Sequence, residues 1–300
     1  MFTSVLNGIH DTMRHYRMTL AVWAARAGVA AVIAAPALAW WRGALNHAVE
    51  AQGLLGGFNL ATWTDVSKYD AAGVFGLLVS GLAAGMFVSA IGGCFVMGGV
   101  LEVFATAGTD RGTMRRFFTG GAGYFWRFFR LLLVGGTATL LAGACTVALL
   151  GAVQSGIVEE PREASFYVLL ALDLLVLTVV CGFFLLALDY ARIHIVANDA
   201  SRALDAYVRG LEFVIRHAMP AYGMAMMSIM PVVGLAVGYL AYETLSPVAS
   251  SWSTIALLFV IQQLIVLLLI GLRMALVGAE FSYFSRMPTD RSRLVAVPPI

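Results

Sequence analysis

Six apolar stretches, each as long as the hydrocarbon layer of a bilayer is thick, decide what this chain can fold into. A helix needs about 20 residues to cross ~30 Å of hydrocarbon. The runs at about Leu20 to Trp41, Gly73 to Val103, Leu131 to Val153, Phe166 to Asp189, Pro220 to Tyr242 and Trp252 to Val277 all meet that length. No water reaches the backbone amides inside hydrocarbon, so each run must satisfy its own N–H and C=O groups as a helix. The expected fold class is all-α: a polytopic membrane protein, one transmembrane domain over residues 1–300, with six transmembrane helices. With 60% hydrophobic and 12% charged residues, the chain has too few polar groups to cover a water-soluble core. A formal net charge of +2 is too small for binding nucleic acid, and no nucleic-acid partner is expected.

The polar remainder is concentrated in three surface stretches. Residues 198–217 read as an amphipathic helix. Leu204, Tyr207, Val208, Leu211, Val214, Ile215 and Ala218 share one face, and Arg202, Asp205, Arg209, Glu212 and Arg216 take the other. Asp205 with Arg209, and Glu212 with Arg216, are acid-before-base pairs four residues apart, an order that supports an exposed helix by a few tenths of a kcal/mol, roughly, per pair. Residues 110–130 mix five arginines with Phe117, Phe118, Tyr124, Phe125, Trp126, Phe128 and Phe129, and Thr113 is suited to cap the helix start. Residues 1–19 carry Phe2, Val5, Leu6, Ile9, Met13 and Tyr16 in helical rhythm, without the shape of a signal peptide. Three amphipathic interfacial helices are expected here, with Arg115, Arg116, Trp126 and Arg209 at the lipid headgroups. Trp40, Trp41 and Arg42 form a belt at the end of the first span, and Arg26 is placed to snorkel back to the interface.

The distribution of basic residues sets an orientation. Arg14, Arg17, Arg111, Arg115, Arg116, Arg127, Arg130, Arg192, Arg202, Arg209, Arg216, Arg286, Arg291 and Arg293 fall on the side of the two termini, whereas Arg42, Lys68 and Arg162 fall on the other. The positive-inside rule puts both termini in the cytoplasm. The excess of arginine over a single lysine fits a bacterial inner, or cytoplasmic, membrane.

The surface stretches share a pattern, glycine and arginine six residues apart: Gly8 to Arg14, Gly121 to Arg127, Gly210 to Arg216. The even-numbered spans end on a carboxylate, at Glu102, Asp189 and Glu280. A surface helix followed by two spans returns the chain to its starting side. The expectation is a three-fold parallel repeat, over 1–105, 110–192 and 198–282, with a tail over 283–300. The excess length of the first copy is the long far-side loop, residues 43–71.

Chemistry is sparse. Cys94, Cys145 and Cys181 lie inside spans without a C-x-x-C pair and read as small packing residues. His10, His15, His47, His194 and His217 lie near or beyond the interfaces, so no haem or pigment ligand is expected, and no hydrolase, protease or phosphate-loop motif occurs. No cofactor, metal or enzymatic activity is expected. The exit carboxylates are candidates for charge pairs: Glu102 with Arg127, Asp189 with Arg192 or Arg216, and Glu280 with Arg14. Asp173 stands out, because a carboxyl about two turns inside a span is costly unless protonated, paired or wet. Gln154, Gln262 and Gln263 are its candidate partners.

The run from Leu188 to Ala197, followed by Ser201 to Gly210 and Phe213 to Arg216, resembles bacterial six-span families of unassigned activity, including the membrane domain of glycerophosphoryl diester phosphodiesterases. That resemblance, over roughly residues 90–280, implies the six-span layout and no catalytic residue. The first functional expectation is a scaffold or accessory subunit that packs against other membrane-protein subunits. The alternative is a permease for a small solute or lipid, with Asp173, Gln262 and Gln263 lining an intramembrane cavity. The Gly81-x-x-x-Gly85 face of the second span predicts close packing of a neighbouring helix.

Overall fold

The computed structural model describes residues 2–45, 71–106, 112–157, 163–245 and 252–287. Residues 46–70, 158–162, 246–251 and 288–300, which carry most of the expected far-side loop, the two short turns and the tail, lie outside the described residues. Those described form eight helices and no strand: α1 (Phe2–Arg14), α2 (Tyr16–Leu45), α3 (Ala71–Ala105), α4 (Thr113–Ile157), α5 (Glu163–Asn198), α6 (Ala203–Arg216), α7 (Ala218–Leu245) and α8 (Trp252–Arg286). Six of them, α2, α3, α4, α5, α7 and α8, are long and apolar enough to cross a membrane, as the runs of hydrophobic residues predict.

Two of the expected surface helices are separate elements, and one is not. The chain breaks after α1 at His15 and after α6 at His217, each the residue that follows the arginine of the glycine–arginine pattern. At the second break the His217 N–H donates to the Phe213 carbonyl oxygen at 2.9 Å, and the ring Nδ1 lies 3.2 Å from the same oxygen. The side chain thus helps to satisfy an acceptor at the helix end. In the second surface stretch the residue after Arg127 is Phe128, whose side chain has no polar hydrogen to offer a carbonyl. It is fully buried and stacks on Tyr124, centroids 5.9 Å apart. There the helix does not break, and the expected boundary near Leu131 is absent: α4 runs without interruption for 45 residues.

The chain forms two compact units. One comprises Met1–Asp11, Cys94–Met226 and Ala275–Ile300, and the other Thr12–Gly93 and Met227–Met274. The first unit holds most of α1, the end of α3, all of α4, α5 and α6, the start of α7 and the end of α8. Phe128, Leu131, Tyr190, Ile193, Val214 and Val277 are buried in its core. Within the second unit, Ile33 of α2 lies over the small-residue face of α3, so that a methyl at Gly85 would come within 3.3 Å of Ile33 Cδ1. The Thr19 hydroxyl donates to the Met274 sulfur at 3.3 Å. None of the three cysteines is in a disulfide; Cys94 is buried, Cys181 half-buried and Cys145 exposed.

Candidate functional site

Glycines mark the places where surface elements cross the ends of spans. A methyl at Gly8 would collide with the Ala275 carbonyl oxygen and lie 2.6 Å from the Ala279 amide nitrogen of α8. One at Gly210 would collide with the Ala187 carbonyl oxygen and lie 3.0 Å from the Ala191 amide nitrogen of α5. In α4 the corresponding contact is made by Gly120, where a methyl would collide with the Glu102 side chain and lie 3.1 Å from the Gly98 carbonyl oxygen of α3. The sequence pattern points to Gly121, one residue later; in the fold a methyl at Gly121 would meet Phe95 instead, 2.9 Å from its carbonyl oxygen. Only a residue without a side chain permits helix backbones to approach this closely.

The same crossings bring the three span ends together. Phe104 of α3 lies beside Gly278 of α8, at 3.4 Å from the place of a methyl there. His194 of α5 meets Phe284 of α8 edge-on at 6.4 Å. Phe213 of α6 packs on Tyr190 of α5 at 4.5 Å and on Phe284 at 5.2 Å. Arg286, at the end of α8, donates to the Thr3 hydroxyl of α1 at 2.9 Å.

Of the expected charge pairs, Asp189 with Arg192 is present and Glu102 with Arg127 is replaced. Asp189 accepts from Arg192 Nη1 at 2.8 Å, one of its two expected partners, in a pair whose side chains are only 12% and 8% exposed. Arg216 is bound instead by Glu212, one turn back on its own helix, and Arg209 by Asp205 at 4.0 Å. Arg127 is bound by Asp199 rather than by Glu102, whose carboxylate sits beside the Tyr124 hydroxyl. Asp199 closes α5: it adopts the left-handed conformation, φ 50°, and the Ala200 N–H donates back to the Ile195 carbonyl oxygen at 3.2 Å. Asp tolerates that conformation better than most side chains, and the turn swings its carboxylate to α4. The Asn198-Asp199 pair was the available signal for this turn, since Asn and Asp favour such positions. Glu280 is fully buried, and Arg14 closes α1.

Deeper in the spans, the Gln154 amide donates to both carboxylate oxygens of Asp173, at 2.8 and 2.7 Å, joining α4 to α5. Gln262 of α8 donates to the Tyr239 hydroxyl of α7 at 2.6 Å, and the neighbouring Gln263 is half-buried. Among the described residues no group of three or more His, Cys, Asp or Glu is placed to hold a metal ion.

The apolar face expected for α6 splits into two. Ala206, Tyr207, Gly210 and Val214 are buried, whereas Leu204, Val208 and Ile215 are exposed. Burial pushes the Tyr207 phenol above its ordinary range, and its oxygen has no hydrogen-bond partner among the described residues. Counting from the crossing glycines, the residue two positions earlier is an exposed large apolar one in all three elements: Leu6 at 59%, Phe118 at 54% and Val208 at 53%. Each element thus has a narrow protein-facing stripe centred on its glycine and a second apolar stripe turned outward.

Comparison with protein-family models, with curated proteins and with solved structures finds no match to this chain.

Proposed function

We propose that this chain is a non-enzymatic integral membrane protein of a bacterial cytoplasmic membrane, acting as a scaffold or accessory subunit of a larger membrane complex. The observation that carries this reading is how the described polar side chains are used. Gln154 with Asp173, Asp189 with Arg192, Arg127 with Asp199 and Gln262 with Tyr239 each engage a neighbouring residue, and three of the four connect one helix to another. Polar residues at membrane depth serve here as glue between helices. The outward face of α5 is broad and apolar, with Tyr167, Val168, Leu172 and Leu175 exposed, a surface on which other spans can pack.

The architecture that serves this role is three copies of one unit, a surface element followed by two spans, in parallel. Support comes from the repeated seat. Gly8 and Gly210 each rest on backbone atoms of residues four apart, 275 and 279, 187 and 191, and Gly120 rests at the same spacing on the Gly98 backbone and the Glu102 side chain. In the second and third copies the seat is the end of the preceding span. In the first it is the end of the last span, so α1 closes the series on itself. Both termini then lie on the arginine-rich, cytoplasmic side.

Affinity purification from native membranes in a mild detergent tests the role. A membrane protein recovered at fixed stoichiometry is the expected result, and recovery of this chain alone under every gentle condition contradicts it.

A further inference from the structure

The surface elements differ in what their arginines touch. On α6, Arg209 and Arg216 are each matched by an acid one turn earlier, Asp205 and Glu212. On α4, from Thr113 to Ile157, there are four arginines and no Asp or Glu. Arg127 is taken by Asp199 from another helix, and Arg116 donates to the Thr106 carbonyl oxygen at the end of α3, at 3.3 Å. Arg115 and Arg130 form no ion pair among the described residues.

These two arginines bracket one exposed stripe. Arg115, Phe118, Thr119, Ala122, Trp126 and Arg130 are all exposed and recur at helical spacing along a single face of α4. Trp126, 61% exposed, is held by ring contacts with Phe125 at 6.0 Å and Phe129 at 5.4 Å, so its outward position is braced from both sides. Because α4 is unbroken, the stripe continues without a gap into Leu133, Thr137 and Leu140, the outward face of the span itself. A span face that meets lipid carries the stripe with it to the headgroup level. A membrane-surface stripe with indole and phenyl rings between guanidinium groups, on a helix without a carboxylate, is complementary to a negatively charged headgroup. Guanidinium groups also bind phosphate through paired N–H donors.

We propose that the Thr113-to-Arg130 half of α4 is a seat for anionic phospholipid, with Arg115 and Arg130 holding headgroup phosphates and Phe118 and Trp126 lying at the acyl boundary. The proposal is independent of the scaffold role, since a protein that purifies alone can still select its lipid. The test is native mass spectrometry of the purified full chain, titrated with phosphatidylglycerol or with phosphatidylcholine. Wild type should retain phosphatidylglycerol preferentially, and R115Q and R130Q should each lower that preference about fivefold, the double variant about thirtyfold. R115K/R130K should keep it, which separates loss of charge from loss of fold, and R209Q/R216Q should leave it unchanged. Equal retention of both lipids by wild type overturns the proposal. So does an equal loss in R209Q/R216Q, or displacement of the bound lipid by millimolar inorganic phosphate, which would mark a free-phosphate site instead.

Discussion

Gly210 of α6 rests directly on the backbone of Ala187 in α5, so closely that no side chain fits between them. Gly8 stands in the same relation to Ala275. These contacts fix where two surface helices cross the span ends, and they make the first prediction. Gly210→Val and Gly8→Val should each destabilise the protein by about 1–3 kcal/mol, the usual cost of forcing extra volume into a packed contact. Gly123 of α4 is exposed with nothing near it, and Gly123→Ala should be neutral or slightly stabilising, since Ala favours helix by about 1 kcal/mol. Thermal unfolding in detergent, followed by circular dichroism, measures all three. Equal effects at Gly210 and Gly123 would remove the crossing from the account.

Asp173 and Gln154 should be coupled. Removing the amide alone, in Gln154→Leu, leaves a carboxyl in an apolar layer without its donor and should be the most damaging change. The double variant Asp173→Leu/Gln154→Leu should be less damaging than that single one. A double-mutant cycle on unfolding should return a coupling of roughly 0.6–2 kcal/mol. The same variants separate the scaffold from the permease alternative: Asp173→Asn retains an acceptor oxygen and should leave solute or lipid transport phenotypes unchanged, whereas a permease built on this carboxyl would lose them.

The two kinds of arginine pair should differ by an order of magnitude in importance. Arg192→Leu removes the guanidinium from the nearly buried Asp189 carboxylate and should cost about 3–5 kcal/mol. Arg216→Gln breaks an exposed pair within one helix and should cost less than about 0.5 kcal/mol, with the small effect fading further in salt. Melting curves at low and high ionic strength distinguish them, and a salt-sensitive, large effect at Arg216 would reverse the assignment.

Tyr207 and Tyr190 bury hydroxyls that find no hydrogen-bond partner among the described residues. Each therefore loses hydration without a compensating bond, so Tyr207→Phe and Tyr190→Phe should be neutral or stabilising by up to about 1 kcal/mol. A clear drop in melting temperature for either would mean that the hydroxyl is bonded in the membrane-embedded protein.

The spans were legible in the sequence because their cause is local: about 20 apolar residues in a row leave a helix as the only answer. The crossing register was not. Gly120 and Gly121 are adjacent, and only the packed partner, Gly98 with Glu102, distinguishes them. The single apolar face drawn for α6 hid two faces, since hydrophobic periodicity does not tell a surface that meets protein from one that meets lipid. Tyr207 and Val214 went inward while Val208 and Ile215 stayed out. The pairing of Arg127 was lost to Asp199 because a reversal of the backbone at the end of α5, not sequence spacing, decides which carboxylate arrives. Asp173 is legible from its depth alone, and in the fold the α4–α5 hairpin brings Gln154 within hydrogen-bond reach of it.

A role as a subunit shows in the mass of the particle this chain forms when extracted from native membranes without detergent exchange. Native mass spectrometry should show a species in which the 32.0 kDa chain is joined by a different membrane protein at a fixed ratio. A spectrum containing only the 32.0 kDa chain, or whole multiples of it, with bound lipid and nothing else, would contradict the account.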